Sequence, residues 1–274
     1  MRYFRIGIVV LFIASVIFAS WANFEYNKGR NTDYPMIKNE VGTLEISVND
    51  PENAIFRGLT ATDGTDGDLT DQIMVASVSH FLEPGLVNVK YVVFDSHNNA
   101  ASLSRRVRYV DYESPKYTLE KAPIYMVGSS FDVLDYLKVE DCLDGDITDR
   151  IRVISNMVNN YAEGVYPVIL EVSNSCGDTA QMNLWVHYTR TDYNVNIGLH
   201  KYVVYHPQGE EFDPYQYIAS VADKDLNPLN KEDIQIQGNL DVNKPGIYQL
   251  VYSYAEEKLA GKSAITVVIT ERQA

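Results

Sequence analysis

The chain is poor in the residues that build metal-dependent or nucleophilic active sites. It has two cysteines and five histidines among 274 residues, and neither type recurs at a zinc-ligand spacing. His80, His97, His187, His200 and His206 are scattered and read as loop or strand-surface residues. No nucleophile elbow, phosphate loop or zinc-protease helix occurs, and no carboxylate pair stands out from the acidic background. These gaps weigh against catalysis, and the chain reads as non-enzymatic. Basic clusters are missing too. Against 37 Asp and Glu stand 23 Lys and Arg, a formal net charge of −14, and such a field repels nucleic acid and anionic lipid headgroups. Nothing beyond the N-terminal segment has the period of a long amphipathic helix, which excludes a helical bundle.

Acidic residues are absent from the N-terminus, the first being Glu25. Arg2 and Arg5 precede an uncharged apolar run from Ile6 to Ala22. At about 1.5 Å per residue the run spans roughly 25 Å, close to a ~30 Å hydrocarbon core with Trp21 and Tyr26 at the interface. It exceeds the usual ~7–15 residue core of a secretory signal, which points to a retained single-pass membrane anchor through residues 6–22 with the C-terminal bulk outside. The alternative is a cleaved signal peptide, with Ser20-Trp21-Ala22 as a small-x-small site and a secreted product. No Cys follows the run, so a lipoprotein anchor is excluded.

What the chain does have is an internal repeat. Asp63-Gly-Thr-Asp66-Gly-Asp68-Leu-Thr70-Asp71-Gln-Ile73 returns as Asp141-Cys-Leu-Asp144-Gly-Asp146-Ile-Thr148-Asp149-Arg-Ile151. Each copy is followed by a Gly that opens an alternating apolar stretch: Gly85 before Val87, Val89, Tyr91 and Val93, and Gly164 before Tyr166, Val168, Leu170 and Val172. Gly246 opens a third, with Tyr248, Leu250, Tyr252 and Tyr254, and the acidic loop before it has decayed to a segment running from Asp223 to Ile234. A period of two marks a half-buried strand, so these twelve residues are the expected core. A further alternating strand closes each repeat: Val107 and Tyr109, then Leu184, Val186 and Tyr188, then Thr266, Val268 and Thr270. Turns join the strand pairs, and Asn98 and Gly177 stand where a left-handed residue closes a hairpin. A second marker, Phe131-Asp132 with Tyr136, recurs as Phe212-Asp213 with Tyr217.

Short strands and frequent turns predict an all-β chain of three tandem sandwiches after an N-terminal transmembrane or signal helix. The divisions read as 1–23 signal anchor or signal peptide, 24–37 polar stalk, and modules at 38–112, 113–189 and 190–274.

The acidic loop, the Gly-led strand and the Asp-Ser-x-x-Asn type of turn together resemble the bacterial immunoglobulin-like domains of pesticidal crystal proteins and Gram-positive surface proteins. The resemblance runs from about residue 38 to 272, and it is fuller in the first two repeats than in the third. It implies immunoglobulin-like sandwiches used for adhesion, spacing or presentation, and no reaction. The expected protein is therefore a membrane-tethered surface protein of a bacterial cell membrane, with its modules as stalk and adhesion or scaffold surface. The alternative is a glycan- or protein-binding accessory module of an envelope or polysaccharide assembly system.

In such a sandwich the acidic loop and the last hairpin lie at one end. Asp63, Asp66, Asp68, Asp71 and Asp95, and in the second repeat Asp141, Asp144, Asp146 and Asp149, could there supply oxygen ligands to calcium. The other reading is turn chemistry, with Asp and Thr side chains bonding their own backbone before a short helical turn that ends at Ile73 or Ile151. The same geometry brings Cys142 and Cys176 together. A disulfide between them would close a loop of about 35 residues and add about 4 kcal/mol in the chain-entropy model; two free buried thiols are the alternative. Trp185 faces away from Leu184 and Val186, and with Tyr193, Tyr202 and Tyr205 it is a candidate contact for a surface protein or glycan. Packing at a module junction would equally explain it.

Overall fold

The computed structural model describes residues 15–22, 33–130, 132–256 and 258–271. Strands dominate, as the two-residue period requires. The first repeat forms β1 (Met36–Asn39), β2 (Thr43–Ile46), β3 (Leu59–Asp63), β4 (Gly67–Asp68), β5 (Met74–Val78), β6 (Leu86–Phe94) and β7 (Ala100–Tyr109). The second forms β8 (Lys116–Leu119), β9 (Ile124–Met126), β10 (Leu137–Asp141), β11 (Gly145–Asp146), β12 (Arg152–Asn156), β13 (Gly164–Ser173) and β14 (Thr179–Thr189). The third forms β15 (Val195–Leu199), β16 (Val203–Pro207), β17 (Ile218–Asp223), β18 (Gln235–Gln237), β19 (Gly246–Glu256) and β20 (Leu259–Thr270).

One pairing scheme recurs. A sheet of order β2-β7-β6-β5 faces β1-β3-β4, and a sheet of order β12-β13-β14-β9 faces β11-β10-β8. In the third repeat β17-β15-β20-β19-β18 form a single sheet with β16 also on β20. In the first two repeats the chain enters on one sheet and crosses to the other within a few residues; β9 lies parallel to β14, and in the third repeat β16 likewise lies parallel to β20. This two-sheet plan is the antiparallel sandwich of immunoglobulin-like folds.

Compactness divides the chain into two units rather than three. One holds the described residues up to Ile46 with Asp50–Ser79 and Val87–Arg108; the other holds Ser47–Asn49, His80–Leu86 and Tyr109 onward. The two small insertions join the second unit through specific contacts. Asp111 accepts hydrogen bonds from the Ser47 hydroxyl (2.6 Å) and the Val48 amide (2.8 Å), the Phe81 amide donates to the Cys176 carbonyl (2.8 Å), and Phe81 meets Tyr112 edge to face at 4.6 Å.

The first unit buries Val87, Val89, Tyr91 and Val93 from β6 with Leu59, Ala61, Leu69 and Val107. Arg105 is buried beside them. Its guanidinium donates to the carbonyls of Ile55 and Arg57 and to the Tyr91 hydroxyl, so the buried charge is solvated by fixed dipoles. The second unit has two separate apolar clusters. One gathers Tyr117, Val139, Ile147, Val168, Leu170, Val172, Leu184 and Val186, and the other Ile197, Val221, Ile234, Leu250, Tyr252, Tyr254, Ile265 and Val267.

Ten of the twelve expected core residues are buried. Tyr166 and Tyr248 are half-buried instead, because their hydroxyls reach back to cap the turn before the strand. Tyr166 donates to the Ala162 carbonyl at 3.0 Å, and Tyr248 to the Lys244 carbonyl at 2.9 Å. Each ring lies over the Gly two residues earlier; a Cβ on Gly164 would sit 3.1 Å from the Tyr166 ring. The Gly-x-Tyr sequence is thus a corner in which the missing side chain makes room for the ring.

Several expectations need correction. The single-pass membrane location is corrected, since among the described residues no helix is long and apolar enough to cross a membrane, and nothing among them supports the membrane contact expected through residues 6–22. Residues 1–14 and 23–32, which carry the rest of that run and most of the expected stalk, and Phe131 of the recurring aromatic marker lie outside the described residues. Met36 and Ile37, read as stalk, pair in β1 with Thr62 and Ala61. In β20 the inward phase is Ile265, Val267 and Ile269, one residue out of step with the expected Thr266, Val268 and Thr270; Val268 packs on the neighbouring cluster instead. His187 is a core residue, 3% exposed, with Nε2 2.8 Å from Gln249 Oε1. Burial holds its pKa below the ordinary histidine range.

Three turns share one five-residue design. In Asp95–Asn99, Asn174–Asp178 and Asp223–Asn227 the first amide donates to the last carbonyl at 3.0 Å, and the first side chain accepts the amides two and four residues on. The fourth position is left-handed in all three: Asn98 (φ 61°), Gly177 (φ 81°) and Leu226 (φ 65°). Leu there is strained, and its side chain is 81% exposed, so it gains little from packing in return. Leu226→Gly is expected to raise the unfolding free energy by about 0.5–1 kcal/mol, the relief of left-handed strain less the added chain entropy. Urea denaturation against the parent chain checks this; a destabilised variant would refute the strain argument.

Candidate functional site

Asp63 ends β3 and Asp141 ends β10, and both are buried. Asp63 Oδ1 accepts the amides of Thr65 and Asp66 at 2.8 and 2.9 Å. Asp141 Oδ1 accepts those of Leu143 and Asp144, both at 2.9 Å. The next carboxylate leaves the loop and grips the hairpin: Asp66 accepts the Ser96 amide (2.7 Å) and hydroxyl (2.9 Å), and Asp144 accepts the Ser175 amide (2.7 Å) and hydroxyl (2.6 Å). The third caps a turn, Asp68 accepting the Thr70 amide and Asp146 the Thr148 amide, each at 2.9 Å. Thr70 and Thr148 then accept the amides of Ala61 and Val139. The short turns Thr70–Gln72 and Thr148–Arg150 end at Ile73 and Ile151 as the spacing predicts, while Asp71 and Asp149 point to solvent.

Loop and hairpin therefore meet, and most of the aspartates act on backbone. The Thr70 and Thr148 hydrogen bonds hold the Asp68 and Asp146 carboxyls below their ordinary pKa. Burial alone would raise Asp95 and Asp144, but the Asn99 and His97 donors outweigh it for Asp95, and the Ser175 and Arg150 donors outweigh it for Asp144. Among the described residues no group of three or more His, Cys, Asp or Glu side chains is arranged to hold a metal.

The expected disulfide is not formed. Cys142 and Cys176 are free thiols, because Cys142 turns away from the hairpin toward the preceding linker: its thiol donates to the Glu113 carbonyl at 3.1 Å and receives the Glu113 amide at 3.5 Å. Burial pushes both thiols above the ordinary cysteine pKa, which keeps them protonated and poorly nucleophilic.

Within the second unit a cleft of about 430 Å³ runs between Lys116–Leu119 of β8 and the segment His200–Tyr205. Tyr205 forms its far wall, with its hydroxyl accepting the Tyr117 amide at 2.7 Å and burial pushing that hydroxyl up to about 12. The Lys116 ammonium lies 5.8 Å from the Tyr205 ring centre, and Tyr202 accepts the Leu199 amide at 3.3 Å. Of the four aromatic residues singled out in the sequence, Tyr202 and Tyr205 share this cleft. Trp185 pairs with Pro167 across β13 and β14 and is half-buried, and Tyr193 lies half-buried in the linker; neither lines the cleft. Lys116, His200 and Lys201, which also line it, carry no motif that marks them in advance.

Residues 201–268 match the family model described as bacterial surface protein, Ig-like domain. Over 216 residues the chain is 28% identical to the pesticidal crystal protein Cry22Aa of Bacillus thuringiensis, a stretch covering 73% of this chain. The chain spans about 28% of the length of that curated relative. Among solved structures, the M60 catalytic domain with the CBM51-1 and CBM51-2 domains of Clostridium perfringens ZmpB aligns at 12% identity over 89% of this chain and 31% of its own, with a TM-score of 0.26. Drosophila N-cadherin EC1-3 aligns at 10% identity over 85% and 99%, with a TM-score of 0.30. The resemblance to bacterial immunoglobulin-like domains is borne out by the family match and by Cry22Aa, and it is the repeat without the acidic loop that the family model covers.

A carboxylate held below its ordinary pKa in the fold stabilises the fold above its unfolded value, and that contribution is lost as acid protonates it. Asp144→Asn should lower the unfolding free energy at pH 7 by about 1–2 kcal/mol and flatten the loss of stability between about pH 4 and pH 3. Urea titrations at pH 7, 5, 4 and 3 test this; equal pH dependence in parent and variant would show that the loop-to-hairpin contact is not a stabilising one.

Proposed function

We propose that the chain is a non-enzymatic extracellular binding protein of a bacterial cell surface. Three tandem immunoglobulin-like modules carry it, and the cleft between Lys116–Leu119 and His200–Tyr205 is its binding site. The observation that supports this most directly is the composition of that cleft. In a chain of net charge −14, Lys201 and His200 line one groove beside the rings of Tyr202 and Tyr205, together with Lys116, whose ammonium is paired with Glu113 at 2.5 Å. Ammonium groups attract anions, and tyrosine rings offer flat apolar faces with a polar edge. The ligand that fits both is a sugar chain bearing carboxylate or phosphate groups, as an envelope polysaccharide does. The match of residues 201–268 to a bacterial surface domain agrees with an external location, and the remaining modules serve as spacers that present the cleft.

The test is binding of the purified chain to immobilised acidic and neutral envelope polysaccharides. The acidic polymer should be retained, with affinity falling as salt rises. Tyr202→Ala and Lys201→Ala should each weaken it about tenfold, a loss of about 1.4 kcal/mol. Equal retention of the neutral polymer, or unaltered binding by both variants, would remove the cleft from the function.

A further inference from the structure

The first two acidic loops share their main hydrogen bonds, and among the differences between them is an exchange of acid and amide in the hairpin. The hairpin of the second repeat opens on Asn174 and has Asp178 four residues later; that of the first opens on Asp95 and has Asn99. Both opening side chains use Oδ1 in the same way, Asn174 accepting the amides of Cys176 and Asp178, and Asp95 those of His97 and Asn99. Their other ends differ in chemistry. Asn174 Nδ2 donates to Asp141 Oδ2 at 3.1 Å, so the second carboxylate oxygen of the loop is satisfied. Asp95 has no proton to give there, and its Oδ2 instead accepts from Asn99 Nδ2 at 2.7 Å.

The consequence falls on Asp63, the counterpart of Asp141. Asp63 is 6% exposed, and its Oδ2 is fully buried with no hydrogen-bond partner. In the second loop the equivalent oxygen, Asp141 Oδ2, meets Asn174; by that correspondence we infer that Asp63 Oδ2 is directed toward Asp95, itself 6% exposed. Two buried carboxylates facing each other are unfavourable unless positive charge lies between them. A further acid stands close by: a Cβ on Gly64 would lie 1.9 Å from Asp33 Oδ2, so only glycine admits the Asp33 carboxylate against this loop.

We propose that the first repeat binds one hard divalent cation, of the calcium class, between Asp63 Oδ2 and Asp95, and that the second repeat does not, because the Asn174 amide already fills the equivalent place. Two carboxylates leave most of the coordination to main-chain oxygens and water, which sets the affinity in the weak extracellular range of about 10⁻⁴–10⁻³ M. The same exchange explains why one loop carries an orphaned oxygen and its near-copy does not.

The experiment is thermal melting and calorimetric titration of the full chain with calcium, with magnesium, and with chelator, on the parent and on Asp95→Asn. Calcium should raise the parent melting transition by about 4 °C or more at 10 mM and titrate with one ion per chain. Asp95→Asn supplies the missing amide, so it should melt above the parent in chelator and lose the calcium response. Asn174→Asp, the reverse exchange, should gain a second response. Identical parent curves with calcium and chelator would overturn the proposal, as would a response kept in Asp95→Asn. A parent that ignores calcium but gains stability on acidification from pH 7 to 5 would assign the gap to a shared proton instead.

Discussion

The need to satisfy backbone amides in loops that no sheet can reach is the constraint on which this structure rests. Each acidic loop turns sharply at the end of a strand, leaving successive N–H groups pointing inward with no ladder partner. One buried carboxylate, Asp63 or Asp141, takes two of them. A second, Asp66 or Asp144, reaches the hairpin across the end of the sandwich. The aspartates are therefore where they are because a short side chain with two acceptor oxygens is the cheapest substitute for a missing strand. Everything downstream follows: the loop holds the threonine turn, the turn places Leu69 or Ile147 in the core, and the hairpin is fixed above it.

The third repeat shows the same demand met by other means. Its loop keeps Asp223 but folds as the five-residue turn that the other repeats use in their hairpins. Its apolar cluster and its Gly-led strand are retained, including the tyrosine that closes the preceding turn. That a family model matches this repeat places the family resemblance in the strands and corners. The aspartates are one solution to a local problem, and the sheet pairing survives their loss.

Much of the fold was legible from residue order. Alternation over Val87–Val93 and Val168–Val172 reads directly because each residue has a single side of the sheet to occupy. The phase of β20 was not legible, since Ile265, Val267 and Ile269 alternate with Thr266 and Val268 and both sets are buried or packed; a strand covered on both faces loses its period. The meeting of loop and hairpin was predicted correctly, yet the disulfide was not formed, because placing two cysteines at one end of a sandwich says nothing of where their side chains point. The burial of His187 was invisible for a related reason: its partner Gln249 lies in another repeat.

By itself, the sequence determined the all-β class of the fold, the left-handed turn positions Asn98 and Gly177 and the acidic balance of charge. These depend on local rules, two residues per strand period and one permissive residue per tight turn, that act within a few positions. The tertiary structure alone decided which distant side chains share a space. It set Tyr205 against Tyr117 to form a cleft, turned Cys142 away to Glu113, and left Asp63 Oδ2 without the amide that Asp141 receives from Asn174. Such pairings depend on how whole sheets pack, and a change of one acid to one amide alters their chemistry without leaving any mark on the period of the strands.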